Sequence, residues 1–157
     1  MKKFTFDNFS NKSKILLSII QNNLIDQLNS KQLSFALSQV LLETGNFSKS
    51  STVYKENNNF SGIKWINKPY QKNAIKGSLS PEGNYYAKFN TPEDWANDYI
   101  RILSLKRSKN TIGRPIDAEN IEDFNNRLYA NSYYSTLPGA KESYLKNLQF
   151  WLKKLGS

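Results

Sequence analysis

The sequence predicts a mainly α-helical chain of the α+β class, with a helical core and a small β or irregular lobe, and three observations carry that prediction. Apolar residues recur at i, i+3, i+4 and i+7 in several separate stretches, the spacing of helices that each bury one face. Between residues 47 and 88 that periodicity fades, and Asn, Ser, Gly and Pro punctuate the chain. Inside this region only short runs, residues 62–65 and 85–89, have strand character. With 157 residues the chain is one domain by length, 1–157, large enough to bury a core without disulfide or metal staples. It shows no internal repeat and no low-complexity segment.

Asp7 or Ser10 opens a first helix that carries Ile15, Leu16, Ile19 and Ile20 and extends through Leu24 and Leu28, with a role in the core. Ser30 is the candidate N-cap of a second helix. On it Leu33, Ala36, Leu37, Val40 and Leu41 share one face, and Gly45 stops it. Thr91-Pro92-Glu93-Asp94 marks a further start, with Thr as N-cap, Pro at the first helical position and two acids meeting the positive end of the macrodipole. For Glu93 and Asp94 capping is favoured over a chemical role. Trp95, Tyr99, Ile102 and Leu103 follow on one face, to about Lys106. A basic connector leads to a helix opened by Asp117, with Ile121, Phe124 and Leu128 inward. Residues 140–155 form an amphipathic helix with Tyr144, Leu145, Leu148, Trp151, Leu152 and Leu155 inward and Lys141, Lys146, Lys153 and Lys154 outward. A basic amphipathic helix is able to touch a membrane, but its apolar stripe is what a helical core needs, and packing is the expected role.

Composition removes several chemistries. There is no cysteine and no histidine, which excludes Ser-His-Asp and Cys-His nucleophilic catalysis and the usual His-rich zinc sites. No metal and no cofactor is expected, and Asp, Glu, Tyr and Lys remain as proton-transfer groups. The formal charge of +9 and a pI near 9.6 imply attraction to a polyanion, an anionic cell wall or nucleic acid. The basic residues are scattered, which favours a diffuse field over a dedicated groove. Met1-Lys2-Lys3 resembles the start of a signal peptide, but Asp7 and Asn8 follow, and the apolar run from Ile15 to Ile20 is short and holds Ser18. The expectation is no Sec signal and no stable membrane insertion.

The stretch from Ser34 to Trp65 concentrates the chemistry. Glu43 falls in the last turn of the second helix, three residues after Val40 and seven after Ala36, at the border of its apolar face. A carboxyl there is partly desolvated, which raises its pKa toward that of a proton donor at neutral pH. Asn57, Asn58, Asn59, Phe60, Ser61, Gly62, Ile63, Lys64 and Trp65 lie a loop's length beyond it. Amides, a hydroxyl and aromatic faces are sugar-binding chemistry.

Ala36-Leu37-Ser38-Gln39-Val40-Leu41-Leu42-Glu43-Thr44-Gly45, followed by Asn58-Asn59-Phe60-Ser61-Gly62-Ile63-Lys64, resembles the signature of the bacterial and phage N-acetylglucosaminidases that cut peptidoglycan, the glucosaminidase family related to the flagellar muramidase and to autolysins. That family reads roughly A-Q-x-x-L-E-S/T-G and then N-N-x-F-G-I-K, with the Glu as catalytic acid. The chain departs from it in a Ser between Phe60 and Gly62, and in Asn46-Phe47 where the family has a Trp-Gly-like pair. The block Leu128-Tyr129-Ala130-Asn131-Ser132-Tyr133-Tyr134 resembles the family's G-Y-A-T-x-x-x-Y, with Leu128 in place of Gly. By position this makes Tyr129 the candidate site tyrosine, with Tyr133 or Tyr134 nearby; the alternative is that all three are core or interface aromatics.

The resemblance implies a lysozyme-like fold with a glycan cleft between its lobes, and an endo-β-N-acetylglucosaminidase that acts on peptidoglycan glycan strands, without nucleic acid, as a monomer. It implies Glu43 as acid and a second acid before the run 85–89. Of Glu56 and Glu82 the latter is chosen; without a second carboxylate, the substrate's 2-acetamido group serves as nucleophile. Asn58, Asn59, Phe60, Trp65 and Tyr133 are the candidate substrate contacts. Without a Sec signal, such an enzyme needs a holin, a virion or another route to the wall, as in a phage endolysin. Alternatives are a muramidase or lytic transglycosylase, a non-catalytic wall-binding or virion protein with the same fold, and a nucleic-acid-binding domain in which Tyr and Trp stack bases.

Overall fold

A computed structural model describes residues 3–135 and 137–156. Its elements run α1 Asn11–Leu24, α2 Ser30–Thr44, α3 Val53–Asn57, β1 Ala74–Leu79, β2 Tyr85–Phe89, α4 Pro92–Leu103, a short 3-10 turn Pro115–Asp117, α5 Ile121–Ala130 and α6 Ala140–Leu155.

Local signals set the helix ends. Ser10 caps α1 by accepting from the Ser13 N–H. Asn29, one residue before the expected Ser30, caps α2, because its side chain accepts from the Gln32 N–H and the Gln32 side chain accepts from the Asn29 N–H in a capping box. Thr91 caps α4 through the Asp94 N–H, with Pro92 following. Asn120 rather than Asp117 caps α5; Asp117 is held in the preceding turn by Arg114.

Helix α2 is the centre of the core. Leu33, Ala36, Leu37, Val40 and Leu41 are fully buried, so are Ser38 and Gln39 on other faces, and Phe35 is buried as well. It packs most extensively on α6. The buried hydroxyls of Ser34, Ser38 and Thr44 bond carbonyls one turn back, which lets a helix with polar residues lie buried all round. Helix α1 buries part of the expected set, Ile20 and Leu24 with Leu28 just beyond its end, but is rotated so that others of it face outward. Leu17, Ile20, Gln21 and Leu24 are buried, whereas Ile15 and Ile19 are 62% and 41% exposed. The reason is Gln21, whose amide bonds both backbone groups of Phe4 and brings a polar residue to the packed side.

The middle of the chain is more ordered than its composition suggests. β1 and β2 form one antiparallel pair with an irregularity between Lys76 and Leu79. Neither β1 nor α3 is expected from periodicity. The run 62–65 is not a full strand; it contributes a bridge from Lys64 to Tyr86. Helix α4 closes over this lobe with Trp95 and Tyr99 fully buried. Among the described residues no helix is long and apolar enough to cross a membrane.

Candidate active site

Glu43 stands at the C-terminal end of α2, two residues before Gly45, which terminates the helix in the left-handed conformation. Its Oε1 accepts a hydrogen bond of 2.7 Å from the Tyr144 hydroxyl of α6. Behind it, Gln39 Nε2 donates to the Tyr144 oxygen at 3.1 Å, and the Tyr99 hydroxyl of α4 donates to Gln39 Oε1 at 2.5 Å. On the other side Gly62 lies against Oε2. Burial pushes the Glu43 carboxyl up to about 7, against the lowering effects of the Tyr144 bond and the nearby Lys64 charge and with a small upward contribution from Glu82. Glu43 keeps partial solvent access, because it lines a cleft of about 40 Å³ with Tyr54, Asn59, Gly62 and Tyr86. A desolvated carboxyl that still opens on a cleft meets the requirements of a proton donor near neutrality.

The loop 58–64 is rigid because its own side chains satisfy its backbone. Asn59 is buried; its amide donates to the carbonyls of Ile63 and Ala87 and its oxygen accepts from the Ile63 N–H. Asn58 ends α3 in the left-handed conformation and donates to the carbonyls of Phe89 and Asn90. Phe60 is buried edge-on to Trp95 at 5.0 Å. These three candidate contacts therefore have structural employment, pinning the loop to β2 and α4. Ser61 is clamped from both sides, its hydroxyl by the Trp95 indole and its carbonyl by the Tyr133 hydroxyl at 2.7 Å. Tyr133 thus reaches the site loop directly. Its phenol is pushed well up by burial and by the Glu43 charge, so it stays neutral.

Glu82 lies exposed in the turn between β1 and β2, in a 3.4 Å ion pair with Lys64. Hydrogen bonds with its own backbone and with Ser80, then Lys64, hold its carboxyl below the ordinary range. Lys64 also sits 4.1 Å above the Tyr86 ring, which faces the cleft. Half-buried Trp65 lies near Lys76, on the flank of the hairpin. Tyr129 contacts Tyr134 at 5.8 Å, and Tyr134 stacks at 3.9 Å on Tyr144, which donates to Glu43. The described contacts bring together Glu43, Gly62, Lys64, Glu82 and Tyr133, and connect Tyr129 to Glu43 through Tyr134 and Tyr144.

Tyr144, Gln39, Tyr99 and Tyr86 are not singled out by sequence. Tyr144 follows Glu43 by 101 positions, so no local pattern links them; polar Ser38 and Gln39 among the apolar residues of α2 are the one signal of a buried polar network. A larger hollow of about 200 Å³ lies at Arg107–Lys109 and Ala130–Ser132. It has no carboxylate and sits past the C-terminal ends of α4 and α5, where its cations neutralise the helix dipoles.

Residues 22–156 match the glucosaminidase family, described as mannosyl-glycoprotein endo-β-N-acetylglucosaminidase. No curated protein matches the sequence. Among solved structures, the catalytic domain of the autolysin Auto from Listeria monocytogenes is similar at 16% identity and a TM-score of 0.58, covering 99% of this chain and 88% of that one. A peptidoglycan hydrolase from Sphingomonas sp. A1 is similar at 15% identity and a TM-score of 0.57, covering 96% and 92%. A chain from a type VI secretion system effector-immunity complex of Pseudomonas protegens is similar at 15% identity and a TM-score of 0.53, covering 93% and 90%. A helical core with a two-stranded lobe and a match over most of its length establish that this chain belongs to the glucosaminidase family of glycoside hydrolases.

Proposed function

We propose that this chain, acting as one catalytic domain, cleaves the β-1,4 bond between N-acetylglucosamine and N-acetylmuramic acid in peptidoglycan, with Glu43 as the general acid. The family supports the bond type, and the names of two structural relatives, a peptidoglycan hydrolase and an autolysin, support the substrate. The single observation that carries the reading is the Glu43 carboxyl, poised at about 7 at the edge of a cleft.

Protonated Glu43 gives its proton to the glycosidic oxygen as the C1–O bond breaks and positive charge develops on the sugar ring. Glu82, ionised on the hairpin, is the candidate for stabilising that charge or activating water. The two carboxyls have the contrasting environments that acid and base roles require. If Glu82 does not reach the bond, the 2-acetamido oxygen attacks C1 instead. Tyr133, through Ser61, fixes the loop that faces the acid. The charge of +9 draws the protein to anionic wall.

The test is mass spectrometry of fragments released from purified peptidoglycan by the parent, Glu43→Gln and Glu82→Gln. New reducing N-acetylglucosamine ends, lost in Glu43→Gln, are expected. Anhydro-muramyl ends would move the activity to a lytic transglycosylase, and reducing muramic ends to a muramidase. Absence of any release by the folded parent across several wall types would sink the enzymatic reading. A loss of about a hundredfold in Glu82→Gln is the result expected of an essential second carboxylate; full activity assigns that role to the acetamido group.

A further inference from the structure

We propose that Tyr144, oriented by Gln39 and Tyr99, is a positioning residue that places the acid proton of Glu43 on Oε2, the oxygen beside Gly62. This deepens the proposed role of Glu43 and rests on it.

Hydrogen-bond polarity is set from the buried end outward. Tyr99 is fully buried and its hydroxyl donates to Gln39 Oε1. That bond fixes the Gln39 amide, because among the described contacts Gln39 Oε1 is the acceptor of the fully buried Tyr99 hydroxyl, and a flipped amide would leave that proton without one. With Oε1 turned to Tyr99, Nε2 faces Tyr144 and donates to its oxygen. The Tyr144 hydroxyl proton must then point away from Gln39, and its acceptor is Glu43 Oε1. The Tyr144 proton is accepted best by a carbonyl-type oxygen, and a protonated Oε1 is the poorer acceptor, so the acid proton resides on Oε2. That is the oxygen against which Gly62 packs, and Gly62 lines the cleft. Each of the three side chains comes from a different helix, α4, α2 and α6, so the polarity is held by the core rather than by a loop. Tyr144 is also locked in place by the parallel Tyr134 ring, 3.9 Å away.

Both phenols stay neutral at any working pH, since burial raises Tyr99 and Tyr144 well above the ordinary tyrosine value. The relay therefore orients a proton and does not transport one. The other groups acting on the Glu43 carboxyl are Lys64, with its lowering charge, and Glu82, with its raising charge, both on the β lobe; Tyr54 of α3, Tyr86 of β2 and Tyr133 after α5 are further ionisable side chains around it.

Tyr144→Phe keeps the ring and its stack but removes the donor; Tyr99→Phe removes the outermost donor without touching Glu43. Two readouts are compared with the parent: the pH profile of kcat and KM on peptidoglycan, and the titration of the Glu43 carboxyl carbon by NMR in selectively labelled protein. For Tyr144→Phe, kcat is expected to fall about tenfold with KM within about twofold. Its Glu43 titration and the alkaline limb of kcat move to higher pH, because a bond that favoured the carboxylate is gone. Tyr99→Phe is expected to shift both in the same direction by less. A folded Tyr144→Phe with an unchanged titration and an unchanged limb overturns the proposal. The NMR titration reports the coupling whether or not Glu43 catalyses, so retained activity in Glu43→Gln would overturn the acid assignment on its own.

Discussion

Gly62 and Glu43 are packed so closely that a Cβ on Gly62 would lie 2.9 Å from Glu43 Oε2 and 3.7 Å from its Cδ. Gly62 also has φ of +68°, a conformation L side chains resist. The two conspicuous sequence blocks, Glu43-Thr44-Gly45 and Asn58 to Lys64, are thus two sides of one contact. The glycine lets backbone approach a carboxyl and displace water from one of its oxygens, which helps keep that acid protonated.

Gly62→Ala is accordingly expected to harm activity more than stability. Left-handed strain of about 1 kcal/mol corresponds to a fall in melting temperature of about 3 °C for a chain of this size. The methyl group pushes the loop off Oε2, and a fall in kcat of at least about tenfold is expected. Thermal unfolding and reducing-end assays on peptidoglycan check the two effects; a variant of full activity would show that the close approach has no catalytic value.

Stability is expected to decline as pH rises through the range in which Glu43 ionises. Its folded value of about 7 lies above the ordinary carboxyl value of 4.5. Between these values the folded chain holds a proton that the unfolded chain releases, so this group's contribution is present below about pH 4.5 and lost by about pH 7. The contribution is at most about 3 kcal/mol. Glu43→Gln cannot ionise, and its urea midpoint at about pH 8 is expected to exceed that of the parent, with the difference vanishing near pH 4. The same protonation makes activity fall on the alkaline side of about 7. Equal midpoints for the two proteins across this range would contradict a buried, raised carboxyl.

Asn59→Ala is expected to act as a folding defect. It removes two amide donors from the carbonyls of Ile63 and Ala87 and the acceptor of the Ile63 N–H, all buried. The Ile63 carbonyl keeps its bond from the Ala87 N–H, but losing the other buried bonds costs about 3 kcal/mol. Chemical denaturation should show that loss, and kcat should fall with it as Gly62 drifts from Glu43. A change in KM alone, at parental stability, would mark Asn59 as a substrate contact instead.

Much of the helical frame is legible in the sequence. Thr91-Pro92-Glu93-Asp94 announces α4, Gly45 announces the end of α2, and the stripe from Tyr144 to Leu155 announces α6. Glu43 itself is legible because its place at the end of an apolar face predicts a desolvated carboxyl. Asn58, Asn59 and Phe60 suggest sugar contacts because of what amides and rings do in a cleft; what the sequence does not reveal is that in the fold the two amides also donate to backbone carbonyls and Phe60 packs on Trp95. Residue type reveals what a side chain is able to bond, and not what stands near enough to be bonded.

The sequence by itself determined where α2, α4 and α6 run, the stop at Gly45 and the poised position of Glu43, because caps, turns and helical periodicity act within a few residues of chain. Only the tertiary structure decided which face α1 buries, that β1 pairs with β2, and that Tyr144 donates to Glu43. Those outcomes depend on groups far apart in sequence. Their meeting is set by how the helices pack and by the requirement that each buried polar group find a partner.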